Sequence, residues 1–138
     1  AAVSAATQSD ELLALADTAR STGHHSAAAE ALKQLLVVAP ADVNAATAAF
    51  TLGRLELEQL GRPADAAAHF ALAAANPSLG PLTEDALARR VEALRAAGRQ
   101  EEARGAARQT IERFPRGANA AQLQRWLEET SHDGPWPR

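Results

Sequence analysis

The chain has 138 residues, a net charge of −3 at neutral pH and a hydrophobic fraction of 46%. This length allows one domain or a short stack of repeats, and the hydrophobic fraction excludes a wholly disordered chain. Because cysteine is absent and the charge is mild, the composition excludes a disulfide framework and a cysteine zinc site, and it favours no nucleic-acid partner.

Alanine dominates the composition, with 36 of the 138 residues. It is the best helix former, because it loses no side-chain entropy and buries no polar group. Aromatic residues make up 4%, and no run rich in Val, Ile and Thr indicates a strand. We therefore predict an all-α fold. No apolar run approaches the roughly 18 residues that span a bilayer, so we expect no membrane insertion of this chain.

Helix-breaking residues recur with a period close to 37. They are Gly23, Gly61, Gly98, Pro40, Pro77 and Pro115. Each glycine precedes its proline by the length of a helix of about four turns, and another amphipathic segment precedes each glycine. The spacing predicts a unit of helix A, glycine turn, helix B and proline loop, repeated three times.

The first predicted pair covers residues 9–41, with Ser9 as the cap of its helix A. Apolar residues at helical spacing form one stripe on each helix. They are Leu12, Leu15, Ala16 and Ala19 on helix A, and Ala28, Ala31, Leu32, Leu35 and Leu36 on helix B.

The second predicted pair covers residues 42–79, with Asp42 as a helix cap and Pro63 in a first turn. Its stripes contain Ala46, Ala49, Phe50, Gly53 and Leu57, then Ala66, Phe70, Ala73 and Ala74. The third pair covers residues 82–116, with Thr83 as a cap. Its stripes contain Leu87, Val91 and Leu94, then Ala103, Ala107, Ile111 and Phe114.

A closing helix is predicted over residues 119–130, with Leu123, Trp126 and Leu127 on one stripe and Asn119 and Gln122 as a capping pair. The repeat domain then covers residues 9–130, between a flexible linker at 1–8 and a flexible tail at 131–138. The chain begins without Met, and we interpret it as a processed chain or a piece of a larger protein.

These residues resemble the tetratricopeptide repeat family. The matches in the first unit are Leu12, Leu15, Ala16, Ala19, Gly23, Ala28, Leu32, Leu35 and Pro40. Those in the second are Leu52, Gly53, Gly61, Ala66, Phe70, Ala73 and Pro77, and those in the third are Leu87, Val91, Leu94, Gly98, Ala103, Ala107 and Pro115. The period exceeds the family's usual 34, and Leu replaces the large aromatic residue that opens helix A. The longer units resemble bacterial cell-envelope members and repeats that accompany FecR-type or anti-sigma regulators.

The resemblance implies a right-handed superhelical stack of three helix pairs with a capping helix, which binds another protein or a peptide. Helix A lines the concave surface in this family, and the outward stripe of helix A supplies the candidate partner-binding residues. They are Asp10, Leu13, Asp17, Arg20, Thr47, Phe50, Thr51, Arg54, Glu58, Asp85, Arg89, Glu92 and Arg95. The resemblance slightly favours a periplasmic or cell-envelope location over a cytoplasmic one.

The competing interpretation of these charges is a solvated helix surface, on which Arg89, Glu92 and Arg95 largely satisfy one another. A different class of function is self-assembly, in which copies stack or dimerise through the closing helix. In chaperone-binding members of the family, a carboxylate clamp needs Lys and Asn at positions where this chain has Asp17, Arg54 and other residues. We therefore do not predict chaperone binding for this chain.

No sequence pattern indicates catalysis. The chain lacks a glycine-rich phosphate loop, HExxH and GxSxG, so we expect neither enzyme activity nor a cofactor. The adjacent His24 and His25 are far in sequence from His69 and His132, and a structural or surface role is favoured over a metal site. Acidic residues interleave with the arginines of the last third, which disfavours nucleic acid as a partner.

Overall fold

The computed structural model describes residues 4–131, and all regular elements in this range are helical, without strands. The elements are α1 (Ala5–Ser21), α2 (His25–Val38), α3 (Ala45–Glu58), α4 (Pro63–Ala75), a 3₁₀ turn (Pro77–Leu82), α5 (Thr83–Ala96), α6 (Gln100–Arg113) and α7 (Ala120–Ser131). The predicted all-α class is confirmed. No helix in the described range has the length and apolar character needed to cross a membrane.

Glycine in a left-handed conformation ends the first helix of each pair. Gly23, Gly61 and Gly98 have φ values of 79°, 63° and 77°. These are angles that residues with a Cβ adopt only with strain. After α1, the Gly23 amide donates to the Arg20 carbonyl and the next amide reaches back to Ala19, which satisfies the last carbonyls of the helix. The predicted glycine turns are confirmed.

Several helix starts differ from the sequence prediction. α1 begins at Ala5, because Ser4 caps it by accepting from the Thr7 amide at 3.2 Å. The predicted cap, Ser9, is buried inside the helix, so residues 5–8 are helical rather than part of the predicted linker. Thr83 is likewise inside its helix, where its hydroxyl donates to the Gly80 carbonyl at 2.8 Å.

Two further predicted caps bind neighbouring elements instead. Asp42 lies in the loop before α3. Its Oδ1 accepts hydrogen bonds from the Ser9 hydroxyl and from the backbone N–H of Asn44, both at 2.9 Å. Asn119 donates its backbone and side-chain N–H groups to Glu84 at 3.0 and 3.2 Å, so it does not form the predicted pair with Gln122. The loop before α3 is therefore tied to α1, and the loop before α7 is tied to α5.

The closing helix ends at Ser131, one residue beyond its predicted limit. The rest of the predicted tail, which includes His132 and Trp136, lies outside the described residues, as do residues 1–3 of the predicted linker. Pro63 occupies the first turn of α4 as predicted.

The helices pack in chain order, each against its neighbours in sequence. Two apolar clusters fill the interior and meet at α3. Ala48, Leu52 and Leu55 pack with α1 and α2 in one cluster. Ala46, Ala49 and Phe50 belong to the second, which continues through α4, α5 and α6 to α7. α3 is therefore the element that joins the first helix pair to the rest of the molecule.

Helices α3 and α4 approach each other closely at Gly53. Phe70 is fully buried and lies against the bare backbone of Gly53, where a Cβ would stand 2.9 Å from its ring. Phe50 completes the contact edge-on, with ring centroids 5.8 Å apart and an interplanar angle of 68°. Glycine is required at position 53 because the ring fills the space that a side chain would need.

Candidate functional site

Helices α1 and α3 form the walls of a surface groove of about 420 Å³. Its lining includes five of the residues predicted to bind a partner: Asp17, Arg20, Thr51, Arg54 and Glu58. Ser21, His25, Leu55 and Gln59 complete it. We call this surface the α1–α3 groove; it brings together residues that are about 35 positions apart in sequence.

Helices α5 and α7 form a second groove, of about 350 Å³, named here the α5–α7 groove. Its lining includes four more predicted residues: Asp85, Arg89, Glu92 and Arg95. The α7 side supplies Asn119, Gln122 and Leu123, which the site prediction did not include. The signal was present in the sequence, since α7 follows a proline loop in the same way as α3.

Arg89 connects α5 to α3 in the region between the two grooves. The Arg89 guanidinium is 3.2 Å from Glu58 on α3 and 3.7 Å from Asp85 on its own helix. Arg54 reaches the same Glu58 carboxylate at 3.7 Å. Glu58 is more than a third exposed, so these pairs contribute little stability, but they orient the side chains that separate the two grooves.

The contacts do not support the competing interpretation, in which Arg89, Glu92 and Arg95 largely satisfy one another. Arg89 pairs across to α3, while Arg95 lies over the Trp126 ring with its guanidinium carbon 4.5 Å from the centroid. This cation–π contact holds an arginine at the rim of the α5–α7 groove. Sequence spacing on one helix did not reveal either partner, because both are on other helices.

Four of the predicted residues lie outside both grooves. Phe50 is only 6% exposed and packs on Phe70, so the prediction that it faces a partner is wrong. Leu13 is half-buried against the first apolar cluster, and Asp10 accepts from the Asn44 side chain at 3.0 Å. Thr47 is exposed near the start of α3.

A buried acid is the main polar feature that sequence reasoning missed. Glu56 is fully buried on α3, and its Oε1 is 2.5 Å from Nδ1 of His69 on α4. The second oxygen, Oε2, has no hydrogen-bond partner. His69 is 23% exposed, so one side of its ring contacts solvent while Nδ1 contacts the buried acid. The pair links α3 to α4, three residues along α3 from Gly53 and next in sequence to Phe70 on α4.

The histidines and acids of the described range do not form a metal centre. His24 bonds to the Thr22 hydroxyl through Nδ1 at 2.8 Å, and His25 lines the α1–α3 groove. Within residues 4–131, no group of three or more His, Asp or Glu side chains is placed to hold a metal ion.

Comparison of the chain with protein-family models gives no match, and no curated protein matches its sequence.

Proposed function

We propose that the chain is a tetratricopeptide-like repeat domain that binds a segment of another protein and does not catalyse a reaction. In this proposal, α1–α2, α3–α4 and α5–α6 are three repeats of a right-handed superhelix, and α7 covers the last one. The three left-handed glycines and the chain-order packing support it. Stacked repeats of this kind present long surfaces that suit extended partners.

The observation that carries the proposal is the sharing of grooves between alternate helices. α1 and α3 line one groove, and α5 and α7 line the other. In each case the two helices are separated in sequence by one intervening helix. Such an arrangement is expected where the helices A of successive repeats lie side by side on one surface. Nine of the thirteen predicted contact residues line these two grooves.

The chemistry of the grooves favours a partner segment that carries both charges. In the α1–α3 groove, Arg20 pairs with Asp17 at 3.4 Å and Arg54 with Glu58 at 3.7 Å. These exposed pairs are weak, so a partner's own acid or base can replace one member of each pair at little cost. The family resemblance extends the proposal to a parent protein of the bacterial envelope or a regulatory system.

Panning of a random peptide library on the folded domain tests the proposal. Enriched peptides should bind the wild-type domain and bind Arg54→Glu about tenfold more weakly, since the substitution reverses the charge inside the α1–α3 groove. Arg108→Glu, on the exposed surface of α6, is the matched control and should bind as the wild type does. Equal affinity of both variants, or the absence of any enriched peptide, would contradict the proposal.

Self-association is a second candidate, favoured by one exposed side chain. The closing helix does not support it, because Leu123, Trp126 and Leu127 are buried within the chain. Leu15, however, is 60% exposed and lines a groove between α1 and α2, where Leu12 and Val38 alternate with Gln8, Glu11 and Gln34. The molar mass of the wild type and of Leu15→Asp, measured by light scattering at high concentration, tests self-association. If both proteins are monomeric, this candidate is excluded.

A further inference from the structure

Two arginines line the α5–α7 groove, and only one of them has an acidic partner within residues 4–131. The Arg89 guanidinium is 3.2 Å from Glu58 and 3.7 Å from Asp85, which cancel its charge. Arg95 lines the same groove but belongs to no ion pair of the described range. The basic members of those pairs are Arg20, Lys33, Arg54, His69, Arg89 and Arg99. Arg95 is therefore the cation of this groove that a bound segment meets without first displacing an acid.

Trp126 holds the Arg95 side chain in place. The guanidinium carbon is 4.5 Å from the centroid of the indole ring. Trp126 itself is 9% exposed and belongs to the second apolar cluster, so its ring is a fixed platform. A stacked guanidinium turns its face to the ring and keeps its N–H donors at the edge, where they are available to another group. Since Arg95 is exposed, that edge is open to a partner.

Two exposed acids lie one helical turn from this stacked pair and do not neutralise Arg95. Glu92 precedes Arg95 by three residues on α5 and lines the groove, and Glu129 follows Trp126 by three residues on α7. Two exposed side chains gain little from pairing in water, because the cost of ordering both offsets the attraction. A carboxylate on a bound segment is already ordered by the other contacts of that segment, so it gains more from the same arginine.

We propose that Arg95 binds the side-chain carboxylate of an Asp or Glu in the partner segment, with Trp126 as the platform that orients it. The planar edge of a guanidinium matches the two oxygens of a carboxylate, so two parallel N–H···O hydrogen bonds form. Glu92 lines the same groove and repels a second acid, which restricts the preference to a single one. The inference rests on the proposed function and deepens it, because it names the chemical group that the α5–α7 groove selects.

Peptide panning on the wild type and on Arg95→Gln is the first test. Peptides enriched on the wild type should share one position that holds Asp or Glu. Those enriched on Arg95→Gln should lack this position, because the variant has lost the unpaired cation of the groove. Arg108→Gln removes an exposed arginine of α6 outside the groove, so it is the matched control and should keep the preference.

A double-mutant cycle then measures the contact between Arg95 and the acid. One enriched peptide is synthesised with its acid and again with the corresponding amide, and fluorescence anisotropy gives the affinity of each. The amide peptide should bind the wild type about fivefold more weakly, and the two peptides should bind Arg95→Gln equally well. Glu92→Gln should strengthen binding of the acidic peptide about twofold, since it removes a repulsive charge from the groove.

Substitutions of Trp126 test the platform. Trp126→Phe keeps an aromatic face and should retain most of the difference between the acidic and the amide peptide, whereas Trp126→Leu should reduce it. Circular dichroism establishes that each variant is folded. The ratio of the two affinities does not change with a loss of stability alone, so an unchanged ratio in Trp126→Leu would contradict the role of the ring.

The inference is overturned if the enriched peptides share no acidic position, if the wild type binds the acidic and the amide peptide equally, or if Arg95→Gln retains the difference. In each of these cases peptides still bind, and weaker binding to Arg54→Glu would leave the proposed function intact. If panning enriches no peptide, the proposed function fails and this inference fails with it.

Discussion

At the scale of single residues, the α3–α4 interface depends on the absence of one side chain. Gly53 has no Cβ, and the Phe70 ring occupies the space that it would need. Helical periodicity placed Gly53, Phe50 and Phe70 on apolar stripes, but it does not reveal which pair of residues will touch. Phe50 lies at the edge of its stripe, and the position of α4 decides that it is buried rather than exposed.

Gly53→Ala should lower the free energy of unfolding by about 1–3 kcal/mol, because overpacking against Phe70 exceeds the gain in helix propensity. Gly105→Ala is the matched control: it lies inside α6 with open space around it and should gain up to about 1 kcal/mol. Urea unfolding followed by circular dichroism measures both. A stabilised Gly53→Ala would show that the ring moves aside without cost.

The Glu56–His69 pair is the second feature at this scale. His69→Leu should cost about 3 kcal/mol, because it leaves a buried carboxylate without its hydrogen bond. Replacing both residues, with Glu56→Met and His69→Leu, should recover most of that loss, since an apolar pair has no desolvation penalty. His24→Leu, at an exposed histidine, should change stability little. Additive effects of the two substitutions would contradict a coupled pair.

At the scale of elements, polar contacts tie two loops to an earlier helix. Asn44, before α3, binds Asp10 and Ser9 of α1, and Asn119, before α7, binds Glu84 of α5. A side chain at Gly117 would overlap the Glu84 carboxylate, which would have to move away from Asn119 to make room. The sequence assigned Ser9, Asp42 and Asn119 to helix caps, because local spacing cannot distinguish a cap from a longer-range contact.

Glu84→Ala should loosen the start of α7 without unfolding the chain. Amide hydrogen exchange in the first turn of α7 should accelerate, because the Asn119 backbone and side-chain donors lose their acceptor. Glu101→Ala, another acid in a first turn but exposed at the start of α6, is the control and should leave exchange in α7 unchanged. Unchanged exchange in both variants would show that apolar packing alone holds α7.

At the scale of the whole molecule, the apolar interior continues from α3 to α7 and ends at Trp126. That side chain is 9% exposed, with Arg95 stacked on its ring, while the opposite surface of α7 carries polar residues such as Gln124 and Glu128. α7 therefore covers one end of the second apolar cluster. On α1, which packs against the first cluster, Leu15 is 60% exposed.

Trp126→Ala should destabilise the end of the molecule around α5–α7 by about 3–5 kcal/mol, because it opens a cavity and removes the Arg95 contact. Hydrogen exchange should rise most in α6 and α7 and least in α1 and α2, since each helix packs mainly against its neighbours in sequence. Arg125→Ala, at an exposed neighbouring position, should leave the pattern unchanged. A uniform rise along the chain would indicate a single cooperative core instead.

The sequence alone determined the all-helical class, the position of the three glycine turns and most of the apolar stripes. These features follow from local chemistry, in which side chains three and four residues apart share a helix face and glycine alone adopts a left-handed turn without strain. The tertiary structure decided that Arg89 reaches Glu58, that Glu56 is buried beside His69 and that Arg95 stacks on Trp126. Those contacts join residues on different helices, so they depend on how the helices pack and not on spacing within any one of them.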